Sequence, residues 1–347
     1  MSTSKADIRP FAESCEIQLI RLQDGLFSAD ILTLGGILCA LRVPDKTGTL
    51  RDVVLGYDRA SDYYTRGKYF GAIIGRFANR IAGGRFTLNG VTRTLCQNDG
   101  VNHLHGGVHG FHAHVWQIEK ADKSSVTLLT TSPDGEEGYH GELKLRVTYR
   151  LDGGAISIRY DAVSDKDTVF NPTNHAYFNL GGHDAGSILA HTLKLEADYF
   201  TPAGPGLIPT GELRPVDGTP FDFREAMPLG LHMEDEDSQL RPAGGYDHNF
   251  VLRGEPGALR SAGLLACPAS GISMEVLTTM PGVQLYTDNV SESRSGKNGA
   301  CYGPHHAVCL ETQFYPDSPN KPAFPSPVLP AGVPCHYETV YRFGLMA

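Results

Sequence analysis

Long hydrophobic runs are missing from this 347-residue chain. No apolar stretch approaches the roughly 20 residues that a membrane-crossing helix needs, so no helical anchor is expected. A basic excess is missing too. Thirty Lys and Arg stand against 39 Asp and Glu, a formal net charge of -9. Nucleic acids and anionic membranes call for a basic footprint, so neither is an expected partner. The polar stretch Met1 to Phe11 has no apolar core and no small-residue cleavage pattern, which argues against a signal peptide. Cys-x-x-Cys does not occur. The seven scattered cysteines read as reduced thiols in a cytoplasmic protein, most of them packed as small hydrophobes. Clean helical periodicity longer than about three turns is also absent, and the best helix candidate is the short Ala60 to Lys68 stretch. No Ser/Gly repeat, linker or compositional break divides the chain. The expectation is an N-terminal tail, residues 1–12, followed by one domain, residues 13–347.

What the chain does have is period-two alternation. Glu16 to Leu22, Leu26 to Leu34, Val53 to Tyr57, Ser125 to Thr131, Glu142 to Leu151, Ala155 to Val163, Thr192 to Leu195 and Ser273 to Thr279 read as strands. Asn89-Gly90 lies between two such patterns and tolerates the positive φ angles of a tight hairpin turn. Asp152-Gly153-Gly154 reads the same way. With 40 Gly and 22 Pro, the chain turns often. These features predict an all-β fold, a large antiparallel β-sandwich or related sheet structure with few short helices and long loops carrying the site. The acidic run Glu234 to Asp237 reads as an exposed loop, because EF-hand ligand spacing is absent. The proline-rich segment Pro316 to Pro334 reads as a rigid loop after a strand ending near Glu311.

Several polar segments carry possible chemistry. Asn171 to Gly182 places His175 among three amides, Asn171, Asn174 and Asn179, with two aromatics and a glycine pair. Glu311 follows the apolar run Ala307-Val308-Cys309-Leu310, so its carboxylate is expected to be desolvated and in need of a partner or a role. An imidazole and a carboxylate are the parts of a paired acid and base. Asn79 and Arg80 offer fixed donors, although an isolated arginine more often makes a surface salt bridge. Asp247 suits either a ligand hydroxyl or an Asx turn opening a strand. Gln284 and Tyr286 alternate out of one strand on a common face, where a cross-strand polar pair is the plainer reading. His103 and His105 would share a face of a strand and suggest a metal site. That pair resembles the histidines of a cupin, but the Glu expected shortly after it is lacking.

Taken together, the segments resemble the aldose 1-epimerases, the galactose mutarotase family. The matching segments are Gly75-Arg-Phe-Ala-Asn-Arg-Ile, Leu104-His-Gly-Gly, Asn174-His-Ala-Tyr-Phe-Asn-Leu, Tyr246-Asp-His-Asn-Phe, Pro281-Gly-Val-Gln and Leu310-Glu-Thr-Gln. They occur in the family's order and span about Glu16 to Phe343. Met280, His103, His305-His306 and Leu329 to Gly332 depart from the family's usual residues. The resemblance implies a large antiparallel β-sandwich of the galactose mutarotase type, with an open sugar cleft and neither metal nor other cofactor. It implies Glu311 as general base and His175 as general acid. Asn79, Arg80, His105, Asp247 and Gln284 carry over as sugar-binding residues. The implied activity is interconversion of the α and β anomers of an aldohexose such as galactose or glucose, in a monomer or homodimer. Asn171, Asn174 and Asn179 are expected to hold the imidazole in place.

Overall fold

Alternation decides the architecture. In Leu143–Asp152, Leu143, Leu145, Val147, Tyr149 and Leu151 are buried, while Lys144, Arg146, Arg150 and Asp152 face solvent. Full burial of each Leu or Val contributes roughly 1.5–3 kcal/mol, which fixes the register of the strand. The computed structural model describes residues 5–11, 14–66, 69–289 and 292–346. Among them, strands dominate and the two α-helices are short, Ala60–Thr65 and Leu240–Ala243.

The largest sheet has nine antiparallel strands. Their order is Gln117–Ala121, Ser125–Ser132, Leu143–Asp152, Ala155–Ser164, Cys335–Leu345, Ile272–Thr278, Arg260–Ala266, Thr192–Leu195 and Met227–Pro228. A five-stranded sheet comes from the first part of the chain: Asp7–Phe11, Ser14–Asp24, Phe27–Leu32, Leu38–Pro44 and Leu50–Asp52. Ile20, Leu22, Ile31 and Leu41 of this sheet share one apolar core with Leu145, Val147, Ile156 and Ile158 of the larger one. A second five-stranded sheet, ordered Arg214–Pro215, Ala197–Thr201, Asp247–Leu252, Gly282–Tyr286 and Cys309–Gln313, carries much of the polar site.

Most expected strands and both hairpins are present. Val53 to Tyr57 is not a strand. All five residues are buried, and the segment makes one isolated bridge, Val54 to Phe178. Its backbone is committed elsewhere: Leu55 N–H donates to the Tyr177 carbonyl, and the Val53 carbonyl accepts from Asn179 N–H. The Ala60 helix ends at Thr65, and residues 67 and 68 of the expected span lie outside the described residues. The strand bearing Glu311 runs on to Gln313. Within the expected N-terminal tail, Asp7–Phe11 pairs with the following strand as a sheet edge. The acidic Glu234 to Asp237 stretch belongs to a segment pinned at either end by buried Leu229 and Leu240.

Candidate active site

Three adjacent strands set a grid of side chains on one face. Antiparallel partners point the same way, so Asp247, Tyr286 and Cys309 form one row and Asn249, Gln284 and Glu311 the next. Val251, Gly282 and Gln313 form the third. The intervening residues Phe250, Val283, Leu285 and Leu310 point into the apolar core. The polar face is thus held rigid by the packing of its reverse side.

His175 reaches this face from a different part of the chain. It follows the two-residue strand Thr173–Asn174, which pairs with Ile73–Ile74. Its N–H donates to the Ala72 carbonyl at 2.9 Å, and its own carbonyl accepts from Gly71 N–H at 2.9 Å. Gly71 has φ +68°, and a Cβ there would stand 2.2 Å from the Leu38 carbonyl oxygen, so this close passage needs glycine. The imidazole stacks against two phenol rings, Tyr69 at 6.0 Å and Tyr177 at 5.0 Å, each within about 11° of parallel. Its Nε2 lies 3.6 Å from Glu311 Oε1.

The expectation for the amides is corrected for Asn171 and Asn179. Asn171 bonds to Ala78 and Phe314 backbone, Asn174 to Gly71, Tyr149 and Ala176, and Asn179 to Gly186, His306 and Gly181. Asn171 and Asn179 tie neighbouring loops together, whereas Asn174 brackets His175: it accepts from Ala176 N–H and donates to the carbonyl of Gly71, whose N–H bonds the His175 carbonyl.

A left-handed pair builds the other wall. Asn79 and His105 have φ of 61° and 53°. Asn79 N–H donates to His105 Nδ1 at 3.1 Å, and His105 N–H donates to the Asn79 carbonyl at 3.0 Å. The next residue, Gly106, admits no side chain, since a Cβ would fall 1.8 Å from the Gly75 carbonyl oxygen. Arg80 then donates through Nε to Asp99 at 2.8 Å and places Nη1 3.7 Å from Asp247. Burial alone would lower the Arg80 pKa, but Asp247 and Asp99 outweigh it and raise it. Gln284 Nε2 donates to Asp247 Oδ1 at 2.6 Å. Arg76 of the same segment is fully buried and donates to the carbonyls of Ser132, Pro133, His140 and Gly141, a structural role.

These groups surround an open cleft of about 390 Å³, the size range of small-molecule sites. Asn79, Arg80, His105, His175, Asp247 and Glu311 line it, and Gln284 sits behind Asp247. Tyr69, Tyr286 and Arg294 also line it. Tyr286 carried a period-two signal. Tyr69 and Arg294 did not, since loop trajectories rather than local patterns bring them in.

Electrostatics at the floor favour neutral groups. Burial pushes the Glu311 carboxyl well above its usual range, helped by the Asp247 charge and opposed by Arg80. Burial also lowers the His175 imidazole to about 3, with a backbone hydrogen bond opposing. Among the described residues, Glu311 Oε2 and His175 Nδ1 have no hydrogen-bond partner. Both shifts favour the uncharged pair, a protonated carboxyl beside a neutral imidazole.

Donor atoms of His105, His175 and Glu311 lie within 4.8 Å of one another, the composition of a two-histidine, one-carboxylate metal set. The His105 tautomer does not fit that use. Its Nδ1 lone pair accepts the Asn79 N–H, which leaves the ring proton on Nε2. Ligation through either nitrogen would require giving up that bond or that proton. The His103–His105 pair does not converge either. His103–Leu104 is a two-residue strand, the left-handed His105 breaks the alternation, and the His103 nitrogens contact the Cys96 carbonyl at 2.6 Å and the Tyr139 hydroxyl at 2.7 Å.

Comparison with known proteins agrees with this architecture. The sequence model of the aldose 1-epimerase family matches residues 18–342. The galactose mutarotase of Bos taurus is 42% identical over 330 residues, 95% of this chain and 94% of that protein. The aldose 1-epimerase of Escherichia coli K12 is 37% identical over 298 residues, 86% of each chain. A crystal structure of an aldose epimerase homologue from C. elegans superposes with a TM-score of 0.88 at 29% identity, covering 95% of this chain and 99% of that one. Galactose 1-epimerase from Lactobacillus acidophilus gives 0.86 at 28% identity, covering 99% and 100%. The chain belongs to the aldose 1-epimerase family.

Proposed function

We propose that the cleft interconverts the α and β anomers of an aldohexose such as galactose or glucose by general acid–base ring opening and closure. The observation that carries this reading is the imidazole–carboxylate pair, His175 Nε2 3.6 Å from Glu311 Oε1, on the floor of a polar cleft in a chain of this family. The anomeric hydroxyl and the ring oxygen are bonded to one carbon, so two groups this close together reach both.

Glu311 takes the anomeric hydroxyl proton, the bond from C1 to the ring oxygen breaks, and His175 delivers a proton to that oxygen. The open-chain aldehyde turns about C1–C2. Closure on the other face returns each proton along the reverse path, so the pair ends with the single proton it began with. Sugar hydroxyls donating to Glu311 replace the hydration that burial removed and favour its ionised form, and the ionised carboxylate in turn favours imidazolium on His175. Asn79, Arg80, His105, Asp247 and Gln284 orient the sugar. No redox step is involved. The protein acts in the cytoplasm as a monomer or homodimer on a free monosaccharide.

Polarimetry of freshly dissolved α-D-galactose tests the assignment. Glu311→Gln is expected to lower kcat about 10²–10⁴-fold, the usual contribution of one positioned proton-transfer group, with little change in KM. An unchanged rate of optical relaxation in that variant would remove Glu311 as the base.

A further inference from the structure

Beneath the cleft, side-chain amides run diagonally across the three site strands. Gln313 is fully buried, and its Nε2 donates to Gln284 Oε1 at 3.4 Å. Gln284 Nε2 donates to Asp247 Oδ1 at 2.6 Å, and Asp247 Oδ2 faces Arg80 Nη1 at 3.7 Å. The direction of this chain is set by chemistry. An ionised carboxylate only accepts, so Gln284 must turn its amino end to Asp247 and its carbonyl end away. A buried carbonyl oxygen there calls for a donor, and Gln313 supplies it.

Gln313 does this at a cost. Its own Oε1 is buried without a partner among the described residues. Leucine or methionine would fill similar space without that unmet acceptor, so packing alone does not account for an amide here. The opposing residue has no room for a side chain. Gly282 pairs with Gln313, and a Cβ on it would come within 2.6 Å of Asn249 Oδ1 and 2.9 Å of the Tyr315 ring.

We propose that Gln313 is a positioning residue of the sugar site. By fixing which end of the Gln284 amide faces Asp247, it holds Asp247 in the orientation that receives ligand hydroxyls, without touching the ligand. The role rests on the sugar-binding reading of the cleft. It predicts an effect on binding rather than on proton transfer, because Gln313 bonds to neither Glu311 nor His175.

The test is a double-mutant cycle read by calorimetric titration with D-galactose and by polarimetry. Gln313→Leu is expected to raise Kd and KM together, about five- to tenfold, with kcat held within about twofold. In a Gln284→Leu background the same substitution is expected to add nothing, since the amide it orients is gone. Gln313→Met gives the same comparison if the leucine variant does not fold. Full additivity of the two substitutions, or unchanged Kd in a folded Gln313 variant, overturns the relay. Wild-type protein that binds galactose but leaves mutarotation uncatalysed removes the proposed reaction and leaves the relay to be read from Kd. Wild-type protein that binds no aldose overturns both.

Discussion

Glu311 and His175 sit where burial opposes the charges that the proposed proton transfer calls for. That opposition has a thermodynamic consequence. The folded Glu311 pKa is raised above its unfolded value, so the folded state binds this proton more tightly. The stabilisation is complete below the unfolded carboxylate range near ~4.3 and is lost as pH climbs through the raised folded value. Glutamine carries no such charge. Glu311→Gln is therefore expected to raise the melting temperature, and by more at pH 8 than at pH 5. Calorimetric scans at the two pH values check this, and a gap that narrows with rising pH would contradict the burial argument. His175 has the opposite sign. Its lowered pKa withdraws stability as pH falls through the unfolded histidine value, near ~6.5, toward 3, so a comparison confined to pH 5 and above overlaps part of that range. Comparing wild type with the variant cancels much of the shared histidine contribution. At this scale the sequence was informative where local composition constrains chemistry. A carboxylate closing the apolar run before Glu311 has few structural uses, and the amide-rich segment around His175 is too polar for an ordinary core strand. The tasks of those amides were not legible, because Asn171 reaches Phe314, 143 positions away, and Asn179 reaches His306, 127 positions away. Such partners are set by tertiary closure alone.

Among the elements, the Asp247–Leu252, Gly282–Tyr286 and Cys309–Gln313 strands convert sequence alternation into a site. The reverse face is apolar, so a slip of one residue would bury Asp247, Gln284 and Glu311 in the core and expose Phe250, Leu285 and Leu310. The sandwich thereby stabilises the register that the proposed mechanism uses. Gly282 is the tightest point of this arrangement. Gly282→Ala drives a methyl toward Asn249 Oδ1 and the Tyr315 ring, both closer than ordinary contact. The expected outcome is a loss of about 1–3 kcal/mol, the usual cost of overpacking, with an unchanged urea m-value. A wild-type midpoint in the alanine variant would show that Asn249 and Tyr315 yield freely. Seven of the eight period-two runs lie on strands, but none of the eight covers Leu38–Pro44, Arg260–Ala266 or Cys335–Leu345. Val53 to Tyr57 misled because an all-apolar buried run looks the same whether it lies in a ladder or threads between sheets.

Across the whole molecule, what sequence patterns did not reveal is strand order. The final strand, Cys335–Leu345, sits in the middle of the nine-stranded sheet, bonded to Ala155–Ser164 on one side and Ile272–Thr278 on the other. Partners this distant in sequence leave no local trace, and closing such long loops before any contact forms makes assembly slow. The two ends of the chain consequently differ in weight. Asp7–Phe11 is an outer strand, with residues 7–10 exposed and Phe11 buried. Losing residues 1–11 forfeits one ladder and about 1.5–3 kcal/mol of burial at Phe11, and leaves every ladder of the nine-stranded sheet in place. Losing residues 335–347 removes buried Val340, Tyr341 and Phe343 and divides the large sheet into two four-stranded pieces, each with a new unpaired edge. It also strips Thr312 of its hydroxyl partner Thr339, next to Glu311, and Leu310 of the hydroxyl of Tyr341. The N-terminal truncation is expected to melt cooperatively, a few degrees below the full chain, and to keep its mutarotase activity. The C-terminal truncation is expected to lose the cooperative transition altogether. Thermal melts followed by circular dichroism distinguish the two, and a cooperative melt near the full-length temperature after removal of the last strand would show that the sheet does not depend on it.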